Sequence, residues 1–396
     1  MTATDGLSSP LSSGPLSTGP LATLKIIEFA GIGPAPYAGM LLADLGAKVI
    51  RIDRHDAGRM DPGHRVLGRG RRSIAVNLKN GAALDVVRRL VTQSDALIEG
   101  FRPGVMERLG LGPLECQSLN PRLVFGRVTG WGQQGPLAQA PGHDLNYIAL
   151  TGVLDAIGTR TSGPVVPLNV LGDFAGGGML LAFGVLAAVI EARSSGRGQV
   201  VDAAMVDGAS SLASLIWGMR SGGWWPGGRG ENLLDGGAHF YGVFECADGK
   251  WITLASIEPP FYAAMLQALQ LDPQLATTQM DGRQWPKLRE QVAAAVCRRT
   301  REEWCARLEG SDVCFAPVLD FDEARRHPHN LAREAFMEQD GLVHPAPAPR
   351  FSNTPSRAAA PASLPGAEGV QVLQELGFAE SQIAELAASG AVRLPN

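Results

Sequence analysis

Short apolar runs alternate with segments of helical period from Leu24 onward. LKIIEFA reads as a strand, PYAGMLLADLG as a helix and AKVIRIDR as a second strand; ALDVVRRLVTQS is another helix before the strand ALIEGF. Strands that are apolar along their whole length need cover on both faces, and helices between them supply it, so the pattern predicts an α/β fold with a parallel sheet. The spacing further predicts a long helix from Asp173 to about Ala192, and SSGRGQVVDAAMVDG predicts a turn, a strand and another helix. The most apolar stretch, MLLAFGVLAAVI at 179–190, is shorter than the roughly 20 residues a bilayer crossing needs. Glu191 and Arg193 follow it directly, which predicts a buried helix and no membrane partner.

The pattern changes between Gly222 and Gly237, where GGWWPGGRGENLLDGG concentrates glycine, tryptophan and charge. Residues 222–237 are expected to be a linker between a large domain over 24–221 and a small domain over 238–335. In the latter, YGVFECADGKWITLAS predicts a hairpin turning at Asp248-Gly249, and helical patterns continue to about Arg326. The Pro/Ala-rich segment 341–366 is expected to be extended, and QVLQELGFAESQIAELAASG predicts a helix, a turn and a second helix with Ser381 as N-cap. Residues 336–396 would thus return to pack on the large domain. The first 23 residues, rich in Ser, Gly and Pro with neither a basic start nor an apolar core, are expected to be a disordered leader.

Composition narrows the function. The chain has 396 residues, enough for two domains. Its 35 basic and 39 acidic residues leave a net charge of -4 without a long single-sign run, which argues against nucleic acid or an anionic membrane as partner and points to small molecules. Cys116, Cys246, Cys297, Cys305 and Cys314 form no CxxC pair and are odd in number, as expected of a cytoplasmic protein in a reducing compartment.

Gly31 and Gly33 stand between the first strand and helix, and Asp53 ends the next strand, about where a dinucleotide fold places its ribose-binding acid. Pro36 replaces the third glycine and Pro34 stiffens the turn, so the segment reads as a simple βα connection. A stronger signal lies at PGHDLNYIALTG, where His143 and Asp144 meet the start of an apolar helix. Thirty residues on, PLNVLGDFAGGG puts Asp173 at a second helix start, followed by Gly176, Gly177 and Gly178. Three glycines weaken a helix by about 1 kcal/mol each, so a close approach to this backbone is expected. Helix N-termini favour carboxylate and neutral imidazole, the proton-accepting forms.

With GHDLNY, PLNVLGDF, GQVVDAAMVDG, NLLDGGAHFY and IEPPFYAAM in this order, the chain resembles the α-methylacyl-CoA racemases, a branch of the family III CoA-transferase superfamily. The resemblance spans about Leu24 to Phe351. It implies a large Rossmann-like domain, a smaller α+β domain, and an interlocked homodimer whose sites lie between the large domain of one chain and the small domain of the other. The implied reaction inverts the α-carbon of a 2-methylacyl-CoA thioester, with His143 and Asp173 as bases on opposite faces. By the same resemblance Glu258 partners the histidine, the Asp144 N–H meets the enolate oxygen, and Asn169 supports Asp173. Arg54, Leu78, Lys79, Arg102 and Arg108 match positions that hold the CoA, which enters as part of the substrate; no other cofactor and no metal is implied. Arg69, Arg71 and Arg72 would add to the field. His239 stands where racemases more often have proline, either a pocket difference or a silent one. The rival reading is a CoA-transferase with Asp173 as nucleophile, but no glycine-rich lid run follows Gly237.

Overall fold

The structure is a computed structural model that describes residues 19–58, 60–356 and 359–395. Six parallel strands, β1 Lys25–Phe29, β2 Lys48–Arg54, β3 Arg71–Val76, β4 Ala96–Glu99, β5 Val124–Thr129 and β6 Val200–Ala204, lie in the order β3-β2-β1-β4-β5-β6. All four residues of β4 and all six of β5 are buried, the charged Glu99 and Arg127 among them paired with each other at 2.7 Å. Successive side chains feed opposite cores. Ile27, Phe29, Leu97 and Phe125 join one with Val86, Val87 and Leu90 of helix Gly81–Thr92; Ile26, Ile98, Val124 and Val128 join the other with Ala38, Leu42, Leu181 and Val185.

The second face also holds buried charge. Glu28 is fully buried, and its carboxylate lies 3.1 Å from Arg71 Nε. Burial lifts its pKa to about 7 despite that cation and Arg51 nearby. A Cβ at Gly39 would stand 2.1 Å from Glu28 Oε2, so helix Pro34–Asp44 can cross here only with glycine. Arg69 is held by Asp44 at 2.9 and 2.6 Å, and Arg72 by Glu375 at 2.6 and 2.9 Å. The three arginines expected to supply a ligand field are therefore committed to structural ion pairs. Asp53, where a ribose-binding acid would stand, accepts from Arg51 Nε and Ser73 Oγ at 2.8 and 2.5 Å and is 6% exposed.

A separate core gathers Phe240, Phe244, Ile252, Tyr262, Trp285 and Trp304. It underlies an antiparallel sheet in the order β7-β8-β9, with β7 Tyr241–Glu245, β8 Trp251–Ala255 and β9 Phe315–Pro317. The hairpin turns at Asp248-Gly249 as expected, Gly249 supplying a left-handed φ of 71°. The chain then forms a hairpin of β10 Phe336–Gln339 and β11 Leu342–Pro345. Helices Gly369–Glu375 and Glu380–Ala388 follow, with Val372, Leu373, Ile383 and Leu386 in the large-sheet core. Strand β12 Val392–Arg393 joins the edge of the large sheet, antiparallel to β3.

The structure adds local detail to these expectations and moves one helix start. The glycine-rich segment 222–237 is tied together by side chains: Asn232 and Asp235 bind the backbone of Gly227, Gly228, Gly230 and Gly237. The segment 341–366 is extended at its start, where it forms β11, and its described residues hold no helix. The C-terminal helix begins at Glu380 with Ala379 as N-cap, so Ser381 is inside the helix. Helical backbone runs unbroken over Val170–Ser195, 26 residues that hold an 18-residue window of mean hydropathy 1.9, long and apolar enough for a bilayer span. Its Leu181, Val185, Ala188 and Val189 instead fill the core beside β5. The leader expected over 1–23 lies outside the described residues up to 18; beyond that, the Leu21 N–H donates to the Leu45 carbonyl at 2.9 Å, and Leu24 is buried.

Candidate active site

In a parallel sheet a crevice opens where connections from neighbouring strands leave in opposite directions, at the carboxyl edge. Here that point lies between β1 and β4. A cavity of about 1140 Å³ occupies it, walled by Ile32, Gly33 and Pro34 after β1, Gly100 to Pro103 after β4, and Thr129 to Trp131 at the end of β5. His143, Asn169, Asp173 and Arg102 all line it. The two expected bases thus face one space from different elements.

Asp173 lies in a wide helical turn, a π-helix over Val170–Met179 that continues into helix Leu180–Ser195. Burial, with the like charge of Asp144, pushes its pKa above the ordinary carboxylate value; Asn169 and His143 pull the other way. Asn169 Nδ2 donates to Asp173 Oδ2 at 3.2 Å. Gly33, with φ 71°, lets the start of helix Pro34–Asp44 come against that carboxylate, and a Cβ there would be 3.4 Å from Oδ2. The glycine run serves helix packing: a Cβ at Gly178 would meet the Pro34 carbonyl at 2.6 Å, and one at Gly176 would meet the Ala209 nitrogen at 2.8 Å. The close approach expected of these glycines is made by the protein itself.

Asp144 takes a part that its place in the sequence did not reveal. Its carboxylate is buried, and Oδ1 accepts the N–H groups of Gly172 and Asp173 at 2.7 Å each. It locks the turn bearing Asp173 onto helix Asp144–Ala149. Its own N–H, first in that helix, has no intrahelical acceptor. His143 is the N-cap, and its N–H donates to Asn146 Oδ1 at 3.0 Å. Tyr147 secures the preceding turn: its hydroxyl donates to the Gly142 carbonyl and its ring meets Trp131 edge-on at 4.8 Å. A Cβ at Gly130 would sit 1.9 Å from that ring, so GHDLNY docks on a glycine at the end of β5.

The other expected residues are not in the cavity. Arg54 is the last residue of β2, and Leu78, Lys79 and Arg108 follow the ends of β3 and β4, on the same edge of the sheet. Arg54 is paired bidentately with Asp56, Lys79 and Arg108 are exposed, and Leu78 packs partly on the core. Glu258 is exposed as N-cap of helix Pro259–Leu269 and does not reach this cavity within the chain. His239 is 1% exposed, bound through Nε2 to the Tyr262 hydroxyl at 2.6 Å, and burial drives its pKa down to about 4. It belongs to the second core. Asp61, His64, Phe321 and His344 line the cavity without having been singled out; the sequence signal for the first two was a helix start, DPGH. Among the described residues, no group of three or more His, Cys, Asp or Glu is placed to hold a metal ion.

The family model for CoA-transferase family III matches residues 21–368. The chain is 41% identical over 365 residues to an α-methylacyl-CoA racemase of Mus musculus, covering 92% of this chain and 95% of the relative. It is likewise 41% identical over 367 residues to that of Homo sapiens, with the same coverage. A crystal structure of a hypothetical protein from Mycobacterium tuberculosis has the same fold, with a TM-score of 0.77 at 24% identity, covering 91% of this chain and all of that one.

Proposed function

We propose that this chain, which belongs to CoA-transferase family III, is an isomerase that inverts the α-carbon of 2-methylacyl-CoA thioesters. The observation that carries the reading is the shared cavity of His143 and Asp173. Sulfur donates poorly into a thioester carbonyl, so the α-proton is acidic enough for a protein base. On one face the Asp173 carboxylate takes that proton, and the C–H electron pair moves into the carbonyl to give a planar enolate. On the other face the His143 imidazolium delivers a proton to the same carbon. The enolate collapses to the thioester of opposite hand, leaving Asp173 protonated and His143 neutral.

Two features suit Asp173 to this exchange. Partial burial holds its carboxyl above the ordinary range, and Asn169 steadies the ionised form. The Asp144 N–H is the donor available for the enolate oxygen, worth ~10²–10³ in rate for such groups. CoA would lie along the carboxyl edge of β2, β3 and β4, with Arg102 nearest the thioester and Arg54, Leu78, Lys79 and Arg108 outward. The chemistry asks for no metal and no further cofactor.

The site is completed by a second copy of the chain, which brings Glu258 to His143 to orient the ring and support its charge. Exposed Trp217, Trp224, Leu215 and Phe183 support such an assembly, as does a second cavity of about 1010 Å³ bounded by Trp217, Trp225 and Trp251. The five cysteines are free, which supports a cytoplasmic location.

Incubation of a single enantiomer of a 2-methylacyl-CoA in D₂O tests the reading. Deuterium is expected at the α-carbon together with loss of optical activity, without any acceptor acid, and Asp173→Ala or His143→Ala should lower both by at least ~10². CoA transfer to a second carboxylic acid with no α-exchange would instead assign Asp173 the nucleophile's part.

A further inference from the structure

We propose that Leu168 is a positioning residue for the catalytic carboxylate: its left-handed backbone sets Asn169 against Asp173. This rests on the reading of Asp173 as one of the two bases. Leu168 has a φ of 63°, a conformation that is costly for a bulky residue and that glycine or asparagine takes more readily. Its side chain is 67% exposed and does not line the cavity, so packing of that side chain is not what holds the backbone there.

The surrounding sequence, PVVPLNVLGDF, explains why the turn falls on leucine. On one side the Val165 N–H donates to the Ile157 carbonyl at 3.0 Å; on the other, Asp144 Oδ1 holds the N–H groups of Gly172 and Asp173 at 2.7 Å each. Between these fixed points Val166 precedes a proline and is driven to extended backbone, and Pro167 cannot take a positive φ. Val170 already belongs to the helical turn. Leu168 and Asn169 are left to reverse the chain. Asparagine is the cheaper residue for that task, yet Asn169 keeps a φ of -97° and gives its side chain to Asp173, Nδ2 donating to Oδ2 at 3.2 Å. The chain thus carries the strain at leucine and leaves asparagine to the carboxylate.

Asp173 is also faced by Asp144, His143 and Tyr147 from helix Asp144–Ala149 and its cap, with Arg102 in the same cavity. Helix Pro34–Asp44 meets it through its cap Gly33, and helix Met205–Leu212 brings Met205 to the cavity, neither of them charged. No substitution at 168 alters any of these groups. A change in the Asp173 titration therefore reports on Asn169: with that donor withdrawn, the carboxylate loses a hydrogen bond and gains its proton at higher pH.

The test is a substitution series at 168 read by the acid limb of kcat/KM for α-deuteration of a 2-methylacyl-CoA. Leu168→Val puts a β-branched residue where left-handed backbone suits it least, and should move the limb up by about half a unit to one pH unit. Leu168→Ala and Leu168→Gly, which keep the turn accessible, should leave it in place. Adding Leu168→Val to Asn169→Ala should move the limb no further than Asn169→Ala alone, because both act through one hydrogen bond. A merely structural role lowers the melting temperature and leaves the limb still. The proposal is overturned by an unmoved limb in Leu168→Val, by additive shifts in the double variant, or by a shift in Leu168→Ala as large as that in Leu168→Val. If Leu168→Val does not fold, the thermal midpoints of the other two decide: Leu168→Gly should melt above Leu168→Ala, the reverse of their order at a negative φ, and the opposite result overturns the proposal. Should the wild-type chain deuterate no thioester, the isomerase reading fails. The ¹³C titration of the Asp173 carboxyl, in protein labelled at its aspartate carboxyl carbons and assigned with Asp173→Asn, then decides Leu168 by the same comparisons.

Discussion

Position 144 carries two duties through different atoms. The N–H stands free at a helix start, while the carboxylate holds the backbone of Gly172 and Asp173. A change in the side chain therefore reaches Asp173 by geometry and by charge. Asp144→Ala leaves one buried and one half-buried N–H without their acceptor and should destabilise the fold by ~1–3 kcal/mol in denaturant titration. Asp144→Asn keeps an acceptor oxygen and removes the like charge that helps raise the Asp173 pKa. In the direction of turnover where Asp173 takes the proton, its carboxylate form is required, so activity falls as pH drops through its pKa. Asp144→Asn should move that acid limb of the kcat/KM profile to lower pH. Asn169→Ala, which removes a donor that favours the carboxylate, should move it higher. Limbs that stay together in all three proteins would detach Asp173 from the rate.

Such residues were unequally legible. His143 and Asp173 show themselves because each sits in a short pattern at a helix start, and Asn169 lies one turn before the aspartate it supports. The Asp144 carboxylate gave no signal, since its partners are main-chain groups 28 and 29 residues away. Arg69 and Arg71 misled for a related reason. Run together with Arg72 they read as a basic cluster, but each finds a buried carboxylate on another element, and only the fold reveals the pairing.

Among the elements, the strands and the helices between them followed from hydrophobic period because the sheet is covered on both faces. Boundaries set by tertiary contact did not. Helix Glu380–Ala388 starts ahead of Ser381 because Gln382 Oε1 accepts the Ala379 N–H, which closes the first turn two residues earlier. Strand β12 is two residues long and exists only because β3 offers an edge. The widened turn at Val170–Met179 packs on helix Met205–Leu212 through glycine against glycine. A Cβ at Gly208 would stand 1.9 Å from the Gly176 carbonyl oxygen, a backbone atom with no room to yield. Gly208→Ala should therefore displace the turn that bears Asp173, with a loss of several kcal/mol in thermal or chemical unfolding and activity falling with it. Gly218→Ala, with open space around its Cβ, is the control that should leave both unchanged.

For the whole molecule, the arrangement of apolar surface bears on function as much as the cavity does. Helix Val170–Ser195 buries one face in the sheet core and leaves Phe183 and Ile190 about 70% exposed, at 70% and 71%. Trp217 and Trp224 are also open to solvent. A face of that kind needs cover, and Glu258 stands outside the cavity of its own chain. Both facts are met by a dimer in which the small sheet of one copy closes the cavity of the other. That arrangement makes a prediction no monomer can satisfy. His143→Ala and Glu258→Ala chains, each inactive or strongly impaired alone, should recover activity when co-refolded or co-expressed. Random pairing puts half of the chains' dimers in the mixed form, each with one intact and one doubly altered site, so recovery should approach about a quarter of the wild-type rate. Two tagged variants purified in tandem would raise it to about half, because only mixed dimers remain. If the tandem-purified mixture stays as inactive as its parents, Glu258 acts within its own chain or not at all, and the shared site is wrong.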